Sequence, residues 1–201
     1  MPLSSFTPNP TLSLGGTAAE YPKDFVLNPM RWDSLVTVDA PLVFVGYGIV
    51  APEYEWNDYA GLDVKGKVVA VMVNDPGLHD SSTFKGKVLT YYARWTYKFE
   101  EAARQGAAGV LLIHTEESAT YPWGTVEGSA TGRQVRLESA PTSLKVTGWV
   151  QHDLMARAFT AAGADLDRAM AEAGKRGFVG SELPIRVAAT VRSTMTRTEI
   201  F

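Results

Sequence analysis

The sequence predicts a mixed α/β protein: a β-rich body, flanking helices and one strand-helix-strand unit. Three observations carry this. Continuous apolar runs of strand length stand at Leu42–Tyr47, Val68–Val73 and Gly109–His114. Between the last two, apolar residues recur every three to four positions, the period of a helix. Near the C-terminal end Ile185, Val187, Ala189 and Val191 recur at every second position, the period of a half-buried strand.

Taken in order, residues 1–40 form an extended N-terminal segment. Pro2, Pro8, Pro10, Pro22 and Pro29, with Pro41 just beyond, argue for extended structure there, and short β-like pieces such as Thr11–Leu14 lie between them, as at a sheet edge. The run "LVFVGY" at Leu42–Tyr47 opens the core, suited to burial on both faces. Gly61 and Gly66 punctuate the stretch leading to "VVAVMV" at Val68–Val73, and "NDPG" at Asn74–Gly77 ends it, with Pro76 and Gly77 suited to the central positions of a type II turn.

From Tyr92, the residues Tyr92, Trp95, Phe99, Ala102, Ala103 and Gly106 trace an amphipathic helix closed by Gly106. "GVLLIH" is the strand that follows. Such crossovers place the two strands parallel in one sheet. Tyr121–Ser139 is read as a Gly/Ser/Thr loop, and "TSLKVTG" as a strand before a helix near Val150–Ala162 that Gly163 caps. Asp165 can N-cap a further helix to about Ala173, and "LPIRVAATVR" is the late strand. No internal repeat and no dividing linker appears, so residues 1–201 are read as a single domain.

Composition narrows the function classes. Of 201 residues, 45% are hydrophobic and 20% charged, ordinary globular usage with enough apolar content for a core. The net charge of −3, with no basic cluster, argues against a nucleic-acid partner. No apolar stretch reaches the length of a membrane span. With Cys at 0, disulfides, cysteine-ligated zinc and thiol catalysis are excluded.

Motifs with catalytic potential fail on context. "GYGIVA" at Gly46–Ala51 matches G-x-G-x-x-A after a strand, but Pro52–Lys67 has no helical period to meet a pyrophosphate, so the segment reads as a glycine-containing bend. His79, His114 and His152 lie far apart outside any metal-binding spacing. "GSATG" at Gly128–Gly132 puts serine second rather than third, unlike a nucleophile elbow. What stands out is aromatic: Tyr91, Tyr92, Trp95, Tyr97 and Phe99, then Tyr121 and Trp123. A helix buries one face, so Tyr91 or Tyr97 should point outward, and with Arg94 and Lys98 beside them these aromatics read as a recognition surface.

Three segments, "LVFVGYGIVAPEYEWNDYAGLDVKGKVVAVMVNDPG" at Leu42–Gly77, "KGKVLTYYARWTYKFEEAARQGAAGVLLIH" at Lys85–His114 and "YPWGTVEGS" at Tyr121–Ser129, resemble in order and spacing the protease-associated (PA) domain inserted in bacterial family M28 zinc aminopeptidases. The resemblance extends more loosely through Val146–Ala173. It implies a swivelling β/β/α fold and a non-catalytic module that shapes substrate access or protein interaction near a peptidase site. It places catalysis and its zinc in a peptidase domain absent from this chain, implies no cofactor and no catalytic residue here, and points to a periplasmic or secreted location. The implied partners are the peptidase domain in cis and a peptide or protein substrate. The surface for them is Tyr91, Tyr92, Arg94, Trp95, Tyr121 and Trp123. An inserted domain should have its ends close together, so residues near Leu12 and Thr194 should be neighbours. A free-standing peptide-binding adaptor is the alternative, and a free-standing nucleotide-using enzyme or serine hydrolase the rival of another class.

Overall fold

A computed structural model describes residues 2–137 and 142–199. The chain runs β1 (Pro2–Leu14), β2 (Thr17–Ala18), β3 (Phe25–Pro29), β4 (Leu35–Phe44), β5 (Val50–Ala51), β6 (Trp56–Asn57), β7 (Val68–Met72), α1 (Trp95–Arg104), β8 (Gly109–His114), α2 (Glu116–Ala119), α3 (Trp123–Ala130), β9 (Gln134–Leu137), β10 (Val146–Gln151), α4 (His152–Ala161), α5 (Leu166–Ala173) and β11 (Ser181–Glu199). Nine strands form one sheet in the order β2-β1-β11-β4-β7-β8-β10-β3, with β9 on β1; β5 and β6 make a separate hairpin. The neighbours β4, β7, β8 and β10 pair in parallel, and β11, β1 and β3 flank them antiparallel. The sheet curls, so that β1 also touches β3. The β-rich body with flanking helices expected from the sequence is what the chain forms.

The parallel centre follows from sequence. Every residue of β7 and β8 is buried, because both faces of the sheet are covered. Alternation sends Val68, Ala70 and Met72 to one side, with α4 and α5, and Val69, Val71 and Val73 to the other, with α1 and α3. Val68 pairs with Gly109 in parallel, as the strand-helix-strand reading requires.

Several local expectations need correction. The N-terminal segment opens with one long strand, β1, which β11 pairs along its whole length; β9 and β2 cover its other side at Leu3–Phe6 and Ser13–Leu14, and Thr7–Leu12 between them is a sheet edge, as expected. Its prolines fit because Pro8 and Pro10 share one parity, so an unbroken ladder to β11 turns both imide nitrogens outward. The turn centred on Pro76 and Gly77 forms but is of 3-10 type, not type II: Gly77 is outside the positive-φ region, the Leu78 N–H donates to the Asp75 carbonyl at 3.1 Å, and the Asp75 carboxylate accepts the Gly77 N–H at 3.0 Å. The helix expected from Tyr92 starts at Trp95, after a 3-10 turn at Tyr91–Ala93. Val150 lies within strand β10, which runs to Gln151, instead of starting the next helix. Most of the loop read at Tyr121–Ser139 is α3 and β9, its last two residues lying outside the described ones. Gly46 and Gly48, with φ of 57° and 60°, make the bend after β4. Gly163 and Asp165 cap α4 and α5 as read.

Leu12 faces Ala189 and Thr194 faces Thr7, so the two positions sit on paired strands, five residues apart in register.

Candidate functional site: an aromatic groove over a buried charge cluster

The groove starts with a loop, residues 74–94, that leaves β7 and delivers Tyr91 and Arg94 to the start of α1. Its two ends are tied by one carboxylate. Asp75 accepts the Gly77 N–H through Oδ1 and the Thr90 hydroxyl through Oδ2 at 2.6 Å. Asn74, in the left-handed region at φ 77°, returns its side-chain oxygen to the Asp75 N–H.

Beneath this loop lies Lys98 of α1, whose Nζ donates to the Asn74 carbonyl at 2.7 Å and stands over the rings of Tyr47 and Tyr97. Lys98 is 0% exposed and Asp58 2%. Asp58 accepts the Ile49 N–H at 2.9 Å and the Trp56 indole N–H at 2.8 Å. Burial pushes the lysine down and the Asp58 carboxyl up, while the neighbouring carboxylates Asp58 and Asp75 favour the ammonium. The sequence reading put Lys98 on the surface beside Arg94; the structure puts it in the interior. Of the two tyrosines expected to divide, Tyr91 is the exposed one, at 54%, and Tyr97 is buried.

Tyr91, Arg94, Trp95 and Tyr121, with Leu89 and Thr90, line a cavity of about 700 Å³ between α1 and the segment after β8. A second cavity of about 540 Å³ adjoins it, and Trp95 and Tyr121 line both. Trp95 is 45% exposed and leans edge-on to Phe99, while Leu89 and the adjacent Val88 are also exposed. The Tyr91 hydroxyl donates to Glu100 at 2.6 Å, which fixes the ring at the rim. An open apolar trough with aromatic walls and one guanidinium can hold extended peptide: rings cover side chains, and arginine donates bidentately to carboxylates.

Two of the expected surface residues lie elsewhere. Tyr92 packs edge-on against Tyr97 at 5.0 Å, beside Tyr54 and Phe84, and donates to Glu53; that bond and burial push its phenol up to about 12. Trp123 donates to the Pro22 carbonyl at 3.1 Å and meets His114 edge-on at 5.4 Å, tying α3 to the segment before β3. His114 is buried at the end of β8, with Nε2 at 3.0 Å from the Tyr121 carbonyl. Because a carbonyl only accepts, Nε2 carries the hydrogen, and burial holds this histidine below its ordinary pKa.

Among the described residues no three His, Asp or Glu side chains converge so as to hold a metal ion. No described helix is long and apolar enough to cross a membrane.

No family model matches the chain, and no curated protein matches it. Among solved structures it is similar to the aminopeptidase from Aneurinibacillus sp. strain AM-1, at 18% identity and a TM-score of 0.45, over 96% of this chain and 35% of that one. The chain thus spans about a third of that protein's length.

Proposed function

We propose that this chain is a non-catalytic protease-associated module of an M28-like zinc aminopeptidase, placed beside the peptidase site, where the groove of Tyr91, Arg94, Trp95 and Tyr121 receives the peptide substrate. The observation that carries the proposal is the exposed aromatic groove itself. Tyr91 and Trp95 stand about half open to solvent beside exposed Leu89, and together they line a trough next to a cation, the kind of contiguous apolar patch that marks an interaction site. The segments quoted from Leu42–Gly77, Lys85–His114 and Tyr121–Ser129 supply the family context. The pairing of β1 with β11 supports insertion, because it lets the two strands enter and leave the body side by side.

In this reading the chain does no bond chemistry. Arg94 attracts the acidic or C-terminal end of a peptide, and Trp95 and Tyr121 hold its apolar side chains, raising the local concentration of substrate near a neighbouring active site. Tyr92 and Trp123 act instead by packing. The test is kinetic and uses the full gene product. Trp95→Ala and Arg94→Ala should raise KM for long peptides roughly tenfold, the equivalent of about 1.4 kcal/mol, with little change for dipeptides. Equal effects on long and short substrates, or none on either, would overturn the assignment.

A further inference from the structure

Rings can cover the side chains of a peptide, but its main chain brings N–H and C=O groups that lose water in a trough and need partners there. The polar lining of the 700 Å³ cavity is largely spent within the fold. The Thr90 hydroxyl donates to Asp75, the Tyr91 hydroxyl to Glu100 and the Ser118 hydroxyl to the Thr115 carbonyl. Asn74 turns its side-chain oxygen to the Asp75 N–H, and its Nδ2 donates to the Ser118 carbonyl at 3.4 Å, a bond that ties the two walls together. Three hydroxyls of the lining, on Thr96, Thr120 and Tyr121, keep no partner among the described residues.

Thr120 differs from the other two in its backbone. It closes α2 with φ 68° and ψ 13°, its N–H donating to the Glu116 carbonyl at 2.8 Å. Helices that end in the left-handed region ordinarily carry glycine or asparagine there, because a β-branched side chain crowds the backbone. Four non-glycine residues stand at positive φ among the described ones, Glu55, Asn74, Phe84 and Thr120, and of these only Thr120 is β-branched. It is exposed, on the wall of the cavity opposite Tyr91 and Arg94. Glycine would make the same turn at lower cost, so the turn alone does not call for threonine. Residues held in sparsely populated conformations gather at ligand clamps, where the side chain is what matters.

We propose that Thr120 is a specificity-determining residue of the groove, its hydroxyl hydrogen-bonded to the main chain of an extended peptide whose apolar side chains lie on Trp95 and Tyr121. The inference rests on the peptide reading of the groove and adds what that reading lacks, a group that recognises the backbone of the ligand whatever its side chains.

Calorimetric titration of the 201-residue protein with an octapeptide of alternating leucine and alanine reads this binding. Thr120→Val keeps the branched side chain and its backbone demand and removes only the hydroxyl, so it should weaken binding about fivefold, while Thr120→Ser should stay within about twofold of the native protein. Thr120→Gly should melt at or above the native temperature and still show the same loss of affinity, which a merely structural threonine would not produce. Octapeptides with one peptide bond at a time replaced by an ester locate the partner: one position should cost the native protein about fivefold and the Thr120→Val protein little. A Thr120→Val or Thr120→Gly protein that binds as tightly as the native one, or an ester series with no position coupled to Thr120, overturns the proposal. Trp95→Ala separates the two failures. Weaker binding in that variant beside native binding in Thr120→Val removes Thr120 alone, and no saturable binding of millimolar octapeptide to the native protein removes the peptide reading together with it.

Discussion

Replacing Lys98 by methionine keeps an unbranched side chain of similar length and removes one buried charge. The consequences follow from what that charge faces. The Asn74 carbonyl loses its 2.7 Å donor, and Asp58 and Asp75, 2% and 1% exposed, lose the cation between them. Deleting one member of a buried charge set costs about 3–5 kcal/mol, because the remaining charges are left uncompensated. For a chain of this size each kcal/mol is worth roughly 2–4 °C, so the melting temperature should fall by at least about 6 °C near neutral pH. Asp58→Asn in the same chain should recover part of that loss, since it removes the orphaned charge.

The deficit should also depend on pH. Without the ammonium, the folded Asp58 carboxyl rises further above its unfolded value, so the folded state holds a proton that the unfolded chain releases. Its contribution is fully present below the ordinary carboxylate range and is lost as pH rises through the raised value. Thermal unfolding of native and variant proteins should therefore show a smaller gap near about pH 5 than near about pH 8. A Lys98→Met protein that melts within about 2 °C of the native one at both pH values would refute the charge-cluster account.

Three further outcomes check other parts of the structure. Gly148→Ala should lower stability by about 3 kcal/mol or more in urea unfolding, since its Cβ would collide with the Val26 carbonyl oxygen and would drive β3 from β10; a loss below about 1 kcal/mol contradicts that packing. Trp123→Ala should cost about 2 kcal/mol through the lost Pro22 bond and ring contacts, yet leave the KM for long peptides unchanged, and a raised KM would return Trp123 to the recognition surface. His114, held neutral by burial, should cost stability as pH falls below its ordinary value near 6.5, because only the unfolded chain then takes the proton; His114→Gln should remove that component of the difference in unfolding free energy across this window.

The parallel centre of the sheet was legible because burial on both faces demands continuous apolar runs, and no solvated element carries "VVAVM" or "GVLLIH". Capping was legible for the same local reason: Asp165 and Gly163 act on backbone groups a few residues away. Helix α3 was hidden, since Gly124, Thr125 and Gly128 lower helix propensity and the burial of Val126 and Ala130 decides in its favour. The end of β10 blurred because Val150 suits either period.

For the site, the split between Tyr91 and Tyr97 could be foreseen, but not which one points out. Lys98 misled because a charged residue on a helix is ordinarily solvated. Its counter-charge Asp58 lies far off in sequence, and only the approach of the β5–β6 hairpin to α1 brings them near each other. Arg136 carries no local signal either: its bond to the Pro29 carbonyl depends on the curl that sets β9, on β1, beside β3.

The central claim, that these residues serve as a module of a larger peptidase, is tested most directly by the intact mass of the natural gene product, detected with an antibody against this 21.8 kDa segment. The account predicts a product well above that mass. A mature product at 21.8 kDa would contradict it and leave the groove to a free-standing peptide binder.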